Sequence, residues 1–556
     1  MVTLKQNTFS VIISEAFVVA LLILLGISGL SGVRAQTWGL VWQPPDDTVQ
    51  VLHQWQHIRQ TGAEALRLET NSVPAWLLTV ADSLALALFV ELPIAEAPAR
   101  QLRRRLPEAR EMLRRLLAQV AGHPSVRAVG LARRADTADP EACAYFETLR
   151  DEVRRARPDL LVYYETRFIE GDRCGQAVDF VLLDARDAAN PLQLLRRWQQ
   201  AHPTVPVGLG RLGTWVRADT LRGLRVPHAP EWQARYLEHH LNRLHGAFDG
   251  WVFVYRWQDV ERRHPALHLD RPFVEAYGLH DRQGRARPAL DVVRGVFTGT
   301  QTVFAFPAGR PPSDPWPWAV LAGWVPIVLL VLSYRFSPLF RLLGARYFRA
   351  HGFYTEAVQY GRDLPTGALS VLGLAEGVAL GVTLAATAAM LRESPAAAWL
   401  VGLLSPELAV PVVEAVRTPF VLLPAAVAGS AVLLGSWALG VRLLSRWGRR
   451  TGFVQAWTLA HMPRWPLFVL MIAALSLKPG AGTGHLLLAL WLLVEGWALA
   501  RTLRDVAQVV EGPGWLRAVL AVLHPGSWLL LAVLFGLIRG LYTGHTVMLW
   551  HLLTVR

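Results

Sequence analysis

Between Thr37 and about residue 300 the chain alternates short, nearly continuous apolar runs with amphipathic stretches rich in Arg and Glu. The runs TWGLVW (37–42), EALRLE (64–69), ALALFVEL (85–92), VRAVGLA (126–132), DLLVYYE (159–165), VDFVLLD (178–184), PVGLGR (206–211) and GWVFVYRW (250–257) predict eight strands. Strands apolar on both faces and separated by helices belong to a parallel sheet covered on both sides, and eight such units over about 260 residues fit a (β/α)8 barrel. An open doubly wound sheet is the alternative, but it normally needs fewer strands.

Beyond residue 315 the pattern changes. Long runs of Leu, Ala, Val, Gly and Trp predict six candidate membrane spans at 316–334, 366–391, 420–441, 465–477, 484–500 and 526–548. The stretch from Ser394 to Val416 is apolar, but Pro395, Pro406, Pro411 and Glu414 argue for segments on the membrane surface rather than a straight span. A further apolar run, residues 9–33, precedes the barrel and carries Glu15 as its single charge. It is expected to be an uncleaved anchor, the alternative being a signal peptide cleaved after Ala35. The chain therefore divides into an anchor or signal (1–35), a barrel (36–305), a Pro-rich linker (306–315) and a transmembrane helical domain (316–556), an α/β barrel followed by an all-α unit.

Charge refines this picture. The net charge of +13 points to nucleic acid only if the basic residues line a soluble face, and here many fall between spans. Arg335, Arg341, Arg346, Arg349 and Arg362 follow the first span, Arg442, Arg446, Arg449, Arg450 and Arg464 the third, and Arg501, Arg504 and Arg517 the fifth. The alternate loops hold Arg392, Arg417 and Lys478. The positive-inside rule then makes the rich loops cytoplasmic and leaves the barrel on the periplasmic or extracellular side. Lipid is the expected environment and nucleic acid is not an expected partner. Two cysteines without Cys-x-x-Cys spacing argue against zinc or a thioredoxin motif, and no cofactor is expected. In an oxidising compartment Cys143 and Cys174, after the fourth and fifth strands, are expected to pair. Glu376, Glu495 and Arg539 fall within apolar spans, where a charge is costly unless paired or wetted, so they mark either helix pairing or a substrate path.

Several segments carry a family resemblance. HPSV (123–126) opening a strand that ends in Arg133-Arg134, VPAWLLTVADSLALALFVELP (73–93), EWQARYLEHHLNRL (231–244) before GWVFVYRWQDV (250–260), and YGLHDRQGRARPALDVV (277–293) together resemble the barrel of family 2 glycoside hydrolases. The helical domain faintly resembles Yip-type membrane domains in RFSPLFRLLGARYFRAHGFYTEAV and the spans after it. The hydrolase resemblance implies two catalytic carboxyl groups, on strands four and seven, about 5 Å apart in a retaining enzyme. The matching positions here are Arg134 and Arg211. A guanidinium neither gains and loses a proton near neutral pH nor forms a glycosyl ester, so the family mechanism is not available. A slip of register on strand four reaches a carboxylate only at Asp136; strand seven offers none.

Other strand-end residues are candidates for binding: Glu69, Glu91, Glu165, Asp184 and Asp259, with Arg67, Tyr164, Arg167, Arg186, Trp215 and Trp257. Arg134 and Arg211 are expected to face one another across the mouth, with acids such as Glu165 or an anionic ligand between them. The ligand set is Arg134, Arg211, Glu165, Tyr164, Trp257 and Arg67, which suits sugar stacking and bidentate capture of a carboxylate or phosphate. The leading expectation is a glycan-binding barrel without the family's catalysis, its partner a carbohydrate and preferably an acidic one. The alternatives are an active hydrolase using Glu165 with Glu91 or Asp184, and a component of polysaccharide export or assembly.

Overall fold

The computed structural model describes residues 36–554 except 46, 71, 72, 85 and 312–316. The anchor or signal expected over residues 9–33 lies outside the described residues. Eight strands, β1 (Thr37–Trp42), β2 (Ala65–Leu68), β3 (Ala87–Glu91), β4 (Val126–Arg133), β5 (Leu161–Thr166), β6 (Phe180–Arg186), β7 (Val207–Gly213) and β8 (Trp251–Val254), close into one parallel barrel in chain order. Closure is made by β8 against β1, with Thr37 opposite Trp251 and Leu40 opposite Val254.

Two cores follow from the alternation of side chains along each strand. Val41, Phe89, Tyr163, Phe180, Leu182 and Phe253 point inward and fill the barrel. Leu40, Leu66, Leu88, Val129, Val162 and Leu183 point outward and pack beneath the helices. Those helices are α1 (Thr48–Gln60), α2 (Ala75–Leu84), α3 (Ala99–Arg104), α4 (Leu106–Gln119), α5 (Cys143–Ala156), α6 (Pro191–Ala201), α7 (Pro230–Leu244) and α8 (Pro288–Phe297). Their starts are set locally. Asp47 accepts from Val49 N at α1, Asn190 accepts from Gln193 N at α6, and α7 and α8 open on Pro, which has no N–H to leave unpaired there. The His-Pro-Ser-Val segment meets the Ala-Asp pair of α2: Asp82 lies 2.6 Å from His123 Nδ1 and accepts from Ser125 N at 2.9 Å. This contact ties the start of β4 to the preceding β/α unit, at the end of the barrel away from the mouth.

The start of the expected linker (306–315) pairs with the barrel. Pro307 and Ala308 carbonyls accept from Leu224 N and Arg225 N, and Phe304 N donates to Glu238, so residues 304–308 run against the rim before the chain departs.

The helical domain begins with α9 (Trp318–Phe336), followed by two short helices, α10 (Pro338–Arg349) and α11 (His351–Tyr360), and by α12 (Thr366–Leu391). The stretch from Ser394 to Arg417 forms α13 (Pro395–Gly402) and α14 (Pro406–Arg417), broken where the prolines fall. Then come α15 (Leu422–Leu444), α16 (Phe453–His461), α17 (Pro466–Ser476), α18 (Ala481–Val509), α19 (Gly514–Leu523), α20 (Pro525–Thr543) and α21 (His545–Thr554). Among the described residues, six helical stretches are long and apolar enough to cross a membrane: Trp318–Phe336, Thr366–Leu391, Pro419–Trp447, Phe453–Ser476, Ala481–Val509 and Pro525–Thr543. The fourth is longer than its apolar run suggests because α16 and α17 continue through a short 3-10 turn, Met462–Arg464.

The intramembrane charges are arranged as pairing predicts, with one exception. Glu376 meets His461 at 2.5 Å and Glu495 pairs with Arg464, all four side chains buried. Arg539 instead lies exposed near the end of α20, from where its long side chain can reach the headgroup level.

Candidate functional site

The C-terminal ends of the strands carry a connected network of ion pairs. At its centre Arg67, fully buried on β2, places Nε 2.6 Å from Glu91, pairs through Nη1 with Glu165 and donates from Nη1 to the Gly210 carbonyl at 2.8 Å. Glycine at 210 leaves the room: a Cβ there would stand 2.7 Å from Arg67 Nη1 and 3.0 Å from Glu165 Oε2. Arg211, on β7, pairs with Glu69 and lies 3.2 Å from Glu165, while its guanidinium sits 4.8 Å from the Tyr255 ring centroid. Arg133 reaches Glu69 at 3.2 Å and Glu91 at 3.6 Å.

Arg134 lies just past the end of β4, where the pairing with β5 shifts register, and its backbone takes the left-handed region at φ 52°. Its N–H donates to the Glu165 carbonyl at 2.7 Å. Its guanidinium meets Glu96 at 2.9 Å and Asp184 at 3.9 Å. Glu96 also takes Arg167 at 3.4 Å, and Asp184 takes Arg186 at 2.8 Å. Glu275, from a short strand after the barrel, closes the ring with Arg186 at 3.3 Å, Arg262 at 3.3 Å and Arg256 at 3.6 Å. Between the two arginines stand two acids, Glu165, which lies 3.2 Å from Arg211, and Asp184, which lies 3.9 Å from Arg134; each is lowered by both guanidiniums.

Six carboxylates (Glu69, Glu91, Glu96, Glu165, Asp184, Glu275) thus meet eight guanidiniums (Arg67, Arg133, Arg134, Arg167, Arg186, Arg211, Arg256, Arg262), an excess of two positive charges. The acidities follow. Burial alone would raise Glu69, but Arg211, Arg256, Arg133 and Arg67 outweigh it and hold the carboxyl well below its usual range. Glu165 and Asp184 are lowered in the same way against burial, by Arg211 and Arg67 and by Arg186 and Arg134 respectively. Arg134 chiefly holds Glu96 down to about 2, and Glu275, despite burial, is held at about 2 by Arg262, Arg256 and Arg186. Arg134 itself is lowered to about 10, by burial and by the nearby Arg186, Arg211 and Arg167, which Glu96 only partly offsets. Asp172, Asp187 and Asp259, none of them ion-paired with these guanidiniums, are raised by burial and held by hydrogen bonds, Asp172 from Tyr164, Asp187 from Tyr277 and Asp259 from Arg287.

Two residues expected in the ligand set are turned elsewhere. Tyr164 faces outward toward Phe146 of α5 and donates to Asp172 at 2.6 Å, because successive residues of β5 alternate faces; its neighbour Tyr163 points inward and donates to Glu91 at 2.9 Å. Trp257 is buried in the outer core beside His280, with no face free for a sugar ring. Asp136, the carboxylate one register slip away, is buried and bonds His551 of α21 at 2.8 Å. Sequence reasoning missed Glu96, Arg256, Arg262 and Glu275. Glu96 stands between two prolines in the loop after β3, a local signal for an ordered loop; Arg256 lies within the run 250–257 read as the eighth strand, two residues past the end of β8.

The network borders a cavity of ≈ 600 Å³ lined by Gln43, Glu69, Trp76, Arg133, Arg256, Glu261 and Glu275, and by none of the six residues expected as the ligand set. It can accept hydrogen bonds at Glu69, Glu261 and Glu275 and offers Arg133 and Arg256 to an anion. The sulfurs of Cys143 and Cys174 are bonded at 2.10 Å, joining the start of α5 to the loop before β6.

The helical domain covers the mouth end of the barrel. Trp399 Nε1 of α13 donates to the Glu96 carbonyl at 3.3 Å, Phe168 after β5 packs with Ala396, Trp399, Met548 and Leu552, and Arg392 pairs with Asp270. Leu267 packs with Val401, Ala409 and Val413.

No family model and no curated protein matches this chain. Among solved structures it is similar to a GH2 β-galacturonidase from Eisenbergiella tayi bound to galacturonate, at 14% identity and a TM-score of 0.43, over 48% of this chain and 52% of that one. A β-glucuronidase from an uncultured Clostridium sp. matches at 15% identity and a TM-score of 0.42, over 48% and 50% of the two chains. A β-glucuronidase from Ruminococcus gnavus matches at 16% and 0.42, over the same shares. The chain spans about half the length of these structures. The likeness of the helical domain to Yip-type domains finds no counterpart among these similarities.

Proposed function

We propose that this chain is a membrane-embedded, glycoside-hydrolase-like barrel that binds an anionic glycan at a cell envelope without hydrolysing it. One observation carries the reading: each of the six carboxylates at the mouth is engaged by a guanidinium, and the guanidiniums are in excess. A retaining glycosidase needs one carboxyl group raised enough to hold a proton for the leaving oxygen. Here Glu69, Glu96, Glu165, Asp184 and Glu275 are all held below their usual range. A uronate or sugar phosphate bound at the cavity meets Arg133 and Arg256, two members of the network that carries the excess charge, and each charged hydrogen bond contributes about 1.5–3 kcal/mol.

The side on which the barrel lies is read from the spans. The barrel meets Arg392, α13, α14 and α21, all at the opposite ends of the spans from the Arg-rich loops. The positive-inside rule then puts the barrel on the periplasmic or extracellular side.

A second reading has one observation in its favour. Glu91 and Glu165 share Arg67, which brings two acids together at the barrel centre as a relocated catalytic pair requires. Because the barrel packs on its own helices, both readings are tested on the full chain in detergent. The expected result on a panel of aryl glycosides is no turnover, with glycan-array binding favouring acidic over neutral oligosaccharides and weakening with salt and on Arg133→Ala or Arg256→Ala, the two arginines that line the cavity. Turnover that disappears in Glu165→Gln replaces binding with hydrolysis. Equal binding of acidic and neutral glycans removes the anionic ligand.

A further inference from the structure

Resting on the glycan-binding reading, we propose that the mouth takes its ligand from the membrane surface: an anionic saccharide fixed by a lipid to the leaflet on the barrel's side, not a freely dissolved polysaccharide.

The barrel is set with its mouth end against the helices. Every barrel loop named in that contact, after β3, β4, β5 and β8, belongs to the C-terminal ends of the strands. On the adjacent flank, Arg100 donates to the Leu541 carbonyl at 2.8 Å and the Arg104 guanidinium lies 5.0 Å from the Tyr542 ring centroid. Leu541 and Tyr542 are in the last turn of a candidate span, Pro525–Thr543. The barrel therefore begins where the span ends.

The ion-pair network stands little further out. Trp399 lies eight residues beyond Leu391, the end of the second span, on the helix that resumes at Pro395 after three non-helical residues. Through Trp399 the Glu96 loop is reached, and through Glu96 the guanidinium of Arg134. A bilayer of about 40–45 Å with a hydrocarbon core of about 30 Å leaves a headgroup layer of roughly 5–7 Å on each side. Arg100, four residues after Glu96, touches the last turn of a span, so the Glu96 loop lies close to that layer.

Helix α14 supports the same level. It buries Ala409 and Val413 against Leu267 of the barrel, while Leu408 and Val412 are 60% and 40% exposed. A short helix with an apolar face left over, between a span and a soluble domain, is suited to the bilayer interface. The cavity is lined mainly from the loops after β1, β2 and β8, at the same end of the barrel as the loops that the helices contact. A sugar carried by a lipid of that leaflet is held on the same side of the membrane as these loops. Confinement to the surface raises its local concentration, as any tether does for a second binding event.

The test uses the full chain in phosphatidylcholine nanodiscs with a fluorescent soluble glucuronide oligosaccharide as reporter. Glucuronosyl-diacylglycerol built into the discs is expected to displace the reporter at a total concentration at least tenfold below that of methyl glucuronide in solution. Glucosyl-diacylglycerol, the neutral counterpart, is expected not to displace it. Equal potency of the lipid-linked and free uronides overturns the membrane-surface ligand and leaves the anionic-glycan reading standing. Equal displacement by the neutral glycolipid, or failure of the reporter and both uronides to bind, overturns both. A Leu408→Lys/Val412→Lys variant, altered only on the exposed face of α14, is expected to lose the lipid-linked advantage while keeping its affinity for methyl glucuronide.

Discussion

The indole N–H of Trp399 donates to the main-chain carbonyl of Glu96, whose carboxylate holds Arg134 2.9 Å away. One loop, Pro93–Pro98, is thereby fastened to the helical domain by its backbone and to the mouth by its side chain. Trp399→Ala removes this bond and the ring that packs on Phe168 and Met548. A large-to-small change of this kind costs about 3–5 kcal/mol, here drawn from the contact between the two domains. Hydrogen exchange should quicken in the Glu96 loop and α21 while α7, on the remote flank, keeps its protection; unchanged exchange in the Glu96 loop would rule out the coupling.

Arg67 is fully buried between two acids. Arg67→Met leaves Glu91 and Glu165 without their shared cation, and breaking a buried ion pair from one side costs about 3–5 kcal/mol. The triple variant Arg67→Met/Glu91→Gln/Glu165→Gln should recover much of that loss. Calorimetry of the three single changes and the triple gives the comparison, and a single-variant loss below about 1 kcal/mol, the scale of an exposed pair, would contradict the burial argument.

Acid should unfold the mouth before the rest of the barrel. Glu275 falls from an ordinary value of 4.5 to about 2 on folding. A lowered carboxyl stabilises the fold fully above its unfolded value and loses that contribution as pH drops through the folded one. The window is therefore pH 4.5 to 2, with Glu96 contributing in the same window. At about 1.4 kcal/mol per pH unit, Glu275 alone is worth on the order of 3 kcal/mol. Thermal unfolding of Glu275→Gln should be flatter across this window than that of the unaltered protein; parallel curves would refute the assignment.

The disulfide closes 31 residues of sequence separation between α5 and the loop before β6. Loop-closure entropy for a ring of that size amounts to about 3–4 kcal/mol. Cys143→Ser/Cys174→Ser should be destabilised by that order, and mass spectrometry of the unreduced protein should find neither thiol alkylated. Alkylation of both would disprove the bridge.

In the helical domain Glu495→Ala strands the Arg464 guanidinium among apolar helices. Folded yield in detergent is expected to fall severalfold, whereas Glu495→Gln, which still accepts a hydrogen bond, should retain more. Equal yields for the two substitutions would show that the pair is not needed for assembly.

The strands were legible because each is apolar on both faces, as a buried parallel sheet requires, and six candidate spans were legible from length and apolarity alone. Individual side chains were less so. Tyr163 and Tyr164 are chemically alike, and only the inward or outward phase of β5 separates the one at the mouth from the one under α5. Arg133 and Arg134 both reach the network because the register slips between Gly130 and Arg133, and a strand pattern does not announce a slip. Glu275 arrives from a two-residue strand far along the chain, and Trp399 from the other domain, so their meeting with the mouth is a matter of tertiary packing. The fourth span was read short because Arg464, a charge in sequence, is a paired side chain in space.

Gly210 has a consequence for descent. Any larger residue there displaces Arg67 or Glu165, and losing either strands charges that Glu69, Glu91 and Arg211 now balance. Positions 67, 69, 91, 165, 210 and 211 are thus not free to drift singly. Related chains should inherit them as a block or exchange them together, and a lineage that gains a carboxylate at 211 should carry compensating changes at its neighbours.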